Sequence, residues 1–141
     1  MKPSDLSIGD WVQSVRTDGC FKVEEIMSVI SPSRGKQILL KHEGSEIFLL
    51  SEVIPVRING KILEKNGFAY SDLEPMFSHS YGGSETEPPK ETIEIVHDLT
   101  NNEWTGEFFG PEGLAMQVRI RYVHELQRIM RCMGIDHDIV L

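Results

Sequence analysis

The sequence predicts an α+β fold in which antiparallel strands dominate. Three observations predict it. Residues 6–58 hold a run of short apolar segments divided by turn chemistry, residues 92–120 hold three more, and residues 122–133 carry one apolar stripe at helical spacing.

The elements follow in chain order. Leu6-Ser7-Ile8-Gly9-Asp10-Trp11-Val12 sets a Gly-Asp turn before an aromatic and a β-branched residue. Asp18-Gly19 is a hairpin signal between strands at residues 12–15 and 21–30. In the second of these, Phe21, Val23, Ile26, Met27 and Val29 change phase near Glu24-Glu25, which a bulge or sharp bend explains. Ser31-Pro32-Ser33-Arg34-Gly35 is loop chemistry ahead of a strand at residues 37–41. His42-Glu43-Gly44-Ser45 turns the chain into a strand at 46–50, and Ser51-Glu52-Val53 reads as a brief helical turn. Pro55 donates no hydrogen bond, so the strand at 54–58 belongs at a sheet edge. Short strands in this number, one of them bent, suit a small SH3-like barrel or an irregular sheet over residues 1–58.

Residues 59–67 read as a short helix, with Asn59 as N-cap and Gly67 at the left-handed position that ends it. Ile62, Leu63 and Phe68 would clamp it to a core. Residues 78–91 have little apolar surface to bury, so a flexible loop is expected at about 71–91. Ile93 and Ile95 then alternate with polar neighbours. Strands at 104–109 and 114–120 flank Gly110-Pro111-Glu112-Gly113, which completes a three-stranded meander. The closing helix spans residues 122–133 and stops at Gly134. Val123, Leu126, Ile129, Met130 and Met133 form its stripe, so the helix is expected to cap one face of the meander, with Arg121, His124, Arg128 and Arg131 off the stripe and facing outward. Residues 59–141 are expected to pack as one globule.

With 141 residues the chain is long enough for a core without disulfides, and Cys20 and Cys132 are single and far apart, which suits a reducing cytoplasm. No apolar stretch follows the first residues and no 18-residue apolar run occurs, so neither a leader nor a membrane span is expected. The net charge of −8 is concentrated: residues 72–112 hold ten acids against one base, Lys90. Such a field weighs against nucleic acid as a partner. From residue 119 to 131 the sign reverses, with Arg119, Arg121, Arg128 and Arg131 facing only Glu125.

Four segments occur together in order: Leu6-Ser7-Ile8-Gly9-Asp10-Trp11-Val12, Phe21-Lys22-Val23-Glu24-Glu25-Ile26, Ile62-Leu63-Glu64-Lys65-Asn66-Gly67-Phe68 and Tyr122-Val123-His124-Glu125-Leu126-Gln127. This set resembles a family of small proteins encoded in the genomes, phages and mobile elements of gut Bacteroidales. Asn59-Gly60 stands where that family tends to carry Thr-Pro, and residues 128–133 are more basic than its pattern. The resemblance implies a shared architecture and a cytoplasmic, mobile-element setting. It implies no activity.

Motifs for catalysis are sparse. His124 adjoins Glu125, but neighbouring helical residues do not face each other, so the pair reads either as an acid–base couple or as structural polar residues. His137 lies between Asp136 and Asp138 without a second cluster at metal-ligand spacing, and His42, His79 and His97 are isolated. Cys20 has no neighbouring base. Phosphate-binding and nucleophile-elbow patterns are absent. No catalytic residue, metal or other cofactor is therefore expected. Trp11 reads as a core aromatic, and Trp104 as either a core aromatic or the exposed wall of a binding pocket.

The expected function is a non-enzymatic binding module that engages a protein partner through its sheet surface and acidic middle segment. An acidic surface of this kind can occupy a partner's nucleic-acid site, which allows a regulatory or counter-defence task. The alternative is a small anionic ligand or nucleotide held by Arg119, Arg121 and His124. Monomer and homodimer suit the sequence equally.

Overall fold

The computed structural model describes residues 1–42 and 46–141. The expected turn at Glu43-Gly44-Ser45 lies outside the described residues. The fold is α+β with mostly antiparallel strands, as expected, and the chain divides into two compact units. One comprises Met1–Arg57 with Tyr122–His124, the other Ile58–Arg121 with Glu125–Leu141.

In the first unit β1 (Trp11–Ser14), β2 (Cys20–Lys22) and β6 (Val53–Pro55) form one sheet in the order β2-β1-β6. A second sheet runs β3-β4-β5, from β3 (Glu25–Ser31), β4 (Gly35–Lys41) and β5 (Ile47–Leu49). A 3-10 turn at Leu50–Glu52 leads into β6, where Glu52 accepts the Leu49 amide at 2.9 Å. Pro55 sits in an edge strand, where its missing donor costs nothing. Asp18, at φ +54°, makes the tight turn after β1, and Ser14 Oγ accepts the Arg16 amide at 3.1 Å.

The expected bend falls between Lys22 and Glu25. The Val23 amide donates to the Asp10 carbonyl at 3.0 Å, whereas the next amide, Glu24, donates to Lys41 at 2.9 Å. One peptide step thus transfers the chain from the first sheet to the second. Leu6, Val12, Phe21, Val23, Leu40, Phe48 and Val53 fill the space between them. Phe21 stacks on Phe48 with centroids 4.5 Å apart. The SH3-like barrel offered by the sequence does not form: the sheets β2-β1-β6 and β3-β4-β5 do not close into a barrel. The 54–58 strand expected from sequence is shorter, and a bridge from Arg57 to Tyr122 and a bond from Val123 N to Val56 O (2.9 Å) take over beyond it.

The second unit is a five-stranded meander in the order β11-β10-β9-β8-β7. Its strands are β7 (Ala69–Ser71), β8 (Met76–Tyr81), β9 (Glu91–Asp98), β10 (Glu103–Gly110) and β11 (Gly113–Ile120). The sequence expectation of three strands with a flexible segment at 71–91 is corrected here. Phe77, His79 and Tyr81 alternate with Ser78 and Ser80, a period-two pattern that pairs with β9 although its polar residues are poor strand formers. Only residues 82–90 connect these strands irregularly.

Register places Phe77, Ile95, Gly106 and Val118 on one face, with Ile93, Phe108 and Ile120 beside them. Ile93, Ile95, Phe108 and Ile120 are fully buried there. Before the sheet stands α1 (Gly60–Lys65), capped by Asn59, whose Oδ1 accepts the Ile62 amide at 3.0 Å; Gly67 follows at φ +84°. Asn66 fastens the C-terminal residues: its Nδ2 donates to Val140 O at 2.7 Å and its Oδ1 accepts Val140 N at 2.8 Å. The last helix, α2 (Val123–Cys132), ends before Gly134 at φ +73°. No helix of the described residues is long and apolar enough to cross a membrane.

Candidate functional site

The aromatic pattern of the second unit concentrates at one end of its sheet. The meander brings the β7–β8 and β9–β10 turns to the same end. There Tyr70, Phe77, His97 and Trp104 share the inner face, because Tyr70 is opposite Phe77 and His97 is opposite Trp104. A recess of about 430 Å³ opens among them, completed by Pro75 and Leu99 from the two turns and by Asn59 and Gly60 at the start of α1.

Each wall has a local cause. His97 lies flat on Trp104, with centroids 4.1 Å apart and planes 4° from parallel, and its Nε2 is 2.8 Å from Asn102 Oδ1. That bond and the stack hold both rings against rotation. Asn102 can reach back because it adopts φ +57°, a conformation asparagine tolerates. Phe77 is 4.9 Å from Tyr70 and 6.0 Å from Trp104 between centroids. Gly60 packs closely beside it: a Cβ there would stand 3.0 Å from Phe77 Cζ, so the ring would have to shift slightly. Tyr70 is 50 % exposed, and the flanking Leu73 and Leu99 are 96 % and 83 % exposed.

A second aromatic group lies further along β8. His79 contacts Phe68, Tyr81 and His137. Burial, reinforced by the charge of His137, holds the His79 imidazole below its ordinary value. Burial also pushes the Tyr81 phenol up to about 12, and its hydroxyl has no hydrogen-bond partner among the described residues. No group of three or more His, Cys, Asp or Glu side chains converges on a common point among the described residues. The Cys20 thiol is pushed up by desolvation, away from the thiolate that a nucleophile needs.

Of the four residues singled out from sequence, Trp104 and Arg119 lie on opposite faces of the sheet. Trp104 lines the recess. Arg119 pairs with Thr105 across the strands and therefore points to the opposite face, where it bonds Glu103 at 3.0 Å. Arg121 is exposed, and its backbone amide donates to Glu125 Oε2 at 2.7 Å. His124 belongs to the first unit, 5 % exposed and parallel to the Tyr122 ring. Its expected outward orientation is corrected: residues 122–124 are built onto the backbone of Val56 and Arg57, which buries a position that the apolar stripe leaves out.

Tyr70, Phe77 and His97 escaped the sequence reading. A signal existed in the alternation of Phe77, His79 and Tyr81, but the surrounding serines and glycines masked it. The His97–Trp104 stack depends on the β9–β10 register, which no local pattern specifies. Comparison with protein-family models, curated proteins and solved structures finds no match to this chain.

Proposed function

We propose that this chain is a non-enzymatic binding module whose second unit seats a segment of a protein partner in the Trp104 recess. The observation that carries the reading is the cluster of rigidly held aromatic rings beside exposed Leu73 and Leu99. Large aromatic side chains in a concave site, surrounded by exposed apolar residues, are the usual anchors of protein recognition. Arg119 faces away from Trp104 and is bonded to Glu103, which weighs against an anionic ligand shared by Trp104 and Arg119. In this reading the resemblance noted in the sequence supplies the setting: the cytoplasm, a phage or mobile element, and a regulatory or counter-defence task.

Selection of a displayed random-peptide library on the intact protein tests the proposal. Recovered peptides should lose tenfold or more in affinity for Trp104→Ala and Tyr70→Ala, as expected when a hot-spot aromatic is removed. Glu94→Gln, on the opposite sheet face, should leave them unchanged. Peptides that bind the folded Trp104→Ala and Tyr70→Ala proteins as well as the wild type would refute it.

A further inference from the structure

We infer that the Trp104 recess selects a cationic side chain, an alkylammonium or guanidinium group carried by a basic segment of the protein partner. The inference rests on the binding reading above and adds the chemistry of the occupant. Tyr70, Phe77 and Trp104 present three rings around one space of about 430 Å³, with interplanar angles of 49° between Tyr70 and Phe77 and 41° between Phe77 and Trp104. Aromatic rings that line one space at inclined planes suit a cationic occupant, because π-faces attract cations.

The surrounding charge has the complementary sign. The recess is lined by no carboxylate, ammonium or guanidinium group. Asp72 and Glu74 lie in the exposed turn between the lining residues Tyr70 and Pro75. Lys61, after Gly60, is the one Lys or Arg adjacent in sequence to a lining residue. Glu103, next to Trp104, is already neutralised by Arg119. Two carboxylates thus flank the recess against one ammonium, and both belong to the segment 72–112, which holds ten acids and one base. An apolar guest gains nothing from that rim, whereas a cation gains from both the rim and the rings.

Calorimetric titration of the intact protein with short basic peptides tests this. One peptide carries a central trimethyllysine, a second the neutral tert-butyl carbon isostere of the same shape, and tetramethylammonium serves as the free cation. The trimethyllysine peptide should bind about fivefold or more tighter than the isostere. It should also outbind tetramethylammonium, and the double variant Asp72→Asn/Glu74→Gln should shrink the difference between the two peptides. Both variant positions are exposed, so the fold is retained. Equal binding of the two peptides would overturn cation selection and leave the protein-binding reading standing. Tetramethylammonium binding as tightly as the peptide would overturn a protein segment as the source. Absence of binding by either peptide, with selected library peptides still dependent on Trp104, would likewise overturn the cation inference alone.

Discussion

Gly106→Ala tests how the second unit's core is built. A Cβ at this position would stand 2.5 Å from Ile120 Cδ1, 2.8 Å from Phe108 Cε2 and 3.1 Å from Phe108 Cζ. Ordinary carbon contacts fall near 3.5–4.0 Å, so the added methyl overlaps its neighbours by about 1 Å. Phe108 and Ile120 are both fully buried, so neither can swing out into solvent. Overpacking of this kind costs about 1–3 kcal/mol, which is the range expected here. The assay is urea denaturation followed by far-UV circular dichroism, with the midpoint compared at constant slope. Ile120→Val removes the Cδ1 that makes the closest approach. Alone it should cost about 0.5–1.5 kcal/mol; combined with Gly106→Ala it should recover part of the loss, giving a double-mutant coupling of about 1 kcal/mol. An unchanged midpoint for Gly106→Ala, or strict additivity with Ile120→Val, would refute this account of the packing.

Asn66→Ala strips the two bonds to Val140 and the bond from Nδ2 to Ile62 O, so stability should fall by about 2–3 kcal/mol and the Val140 amide should lose protection from hydrogen exchange. The lowered His79 value has a definite sign: the unfolded imidazole takes up its proton first, so stability is full above the ordinary value near 6.5 and declines as pH falls below it. Melting curves between pH 7 and 5 should therefore show a decline that His79→Gln diminishes. Tyr81, held neutral up to about 12, makes stability fall as pH rises past the ordinary phenol value of 10. Tyr81→Phe should abolish that fall and leave neutral-pH stability equal or up to about 1 kcal/mol higher, because the lost hydroxyl has no partner among the described residues.

Local chemistry was legible wherever a residue's own backbone imposes the structure. Asp18-Gly19 turns the chain, Asn59 caps α1, Gly67 and Gly134 adopt left-handed backbone, and Pro55 keeps to an edge strand. The phase change at Glu24-Glu25 located the step between sheets to within two residues of where Val23 and Glu24 change partners. The strand β8 was hidden because its polar positions are serines and its apolar ones aromatic or histidine, a composition that resembles a loop until a neighbouring strand pairs with it.

The site divides in the same way. That Trp104 opens a strand and could be a binding wall was readable from its own sequence context. That Tyr70, Phe77 and His97 stand with it was not, since Tyr70 and Trp104 are separated in the sheet by β8 and β9 and meet only through strand register. Sequence alone determined turns, caps, helix ends, the α+β class and the acidic character of the middle segment, because these follow from torsional preference, short-range bonding and charge count. Only the tertiary structure decided that His124 is buried, that Arg119 turns away from Trp104, and that the aromatic rings share a recess. These depend on which distant backbone groups pair, and one residue of register reverses the face each side chain takes.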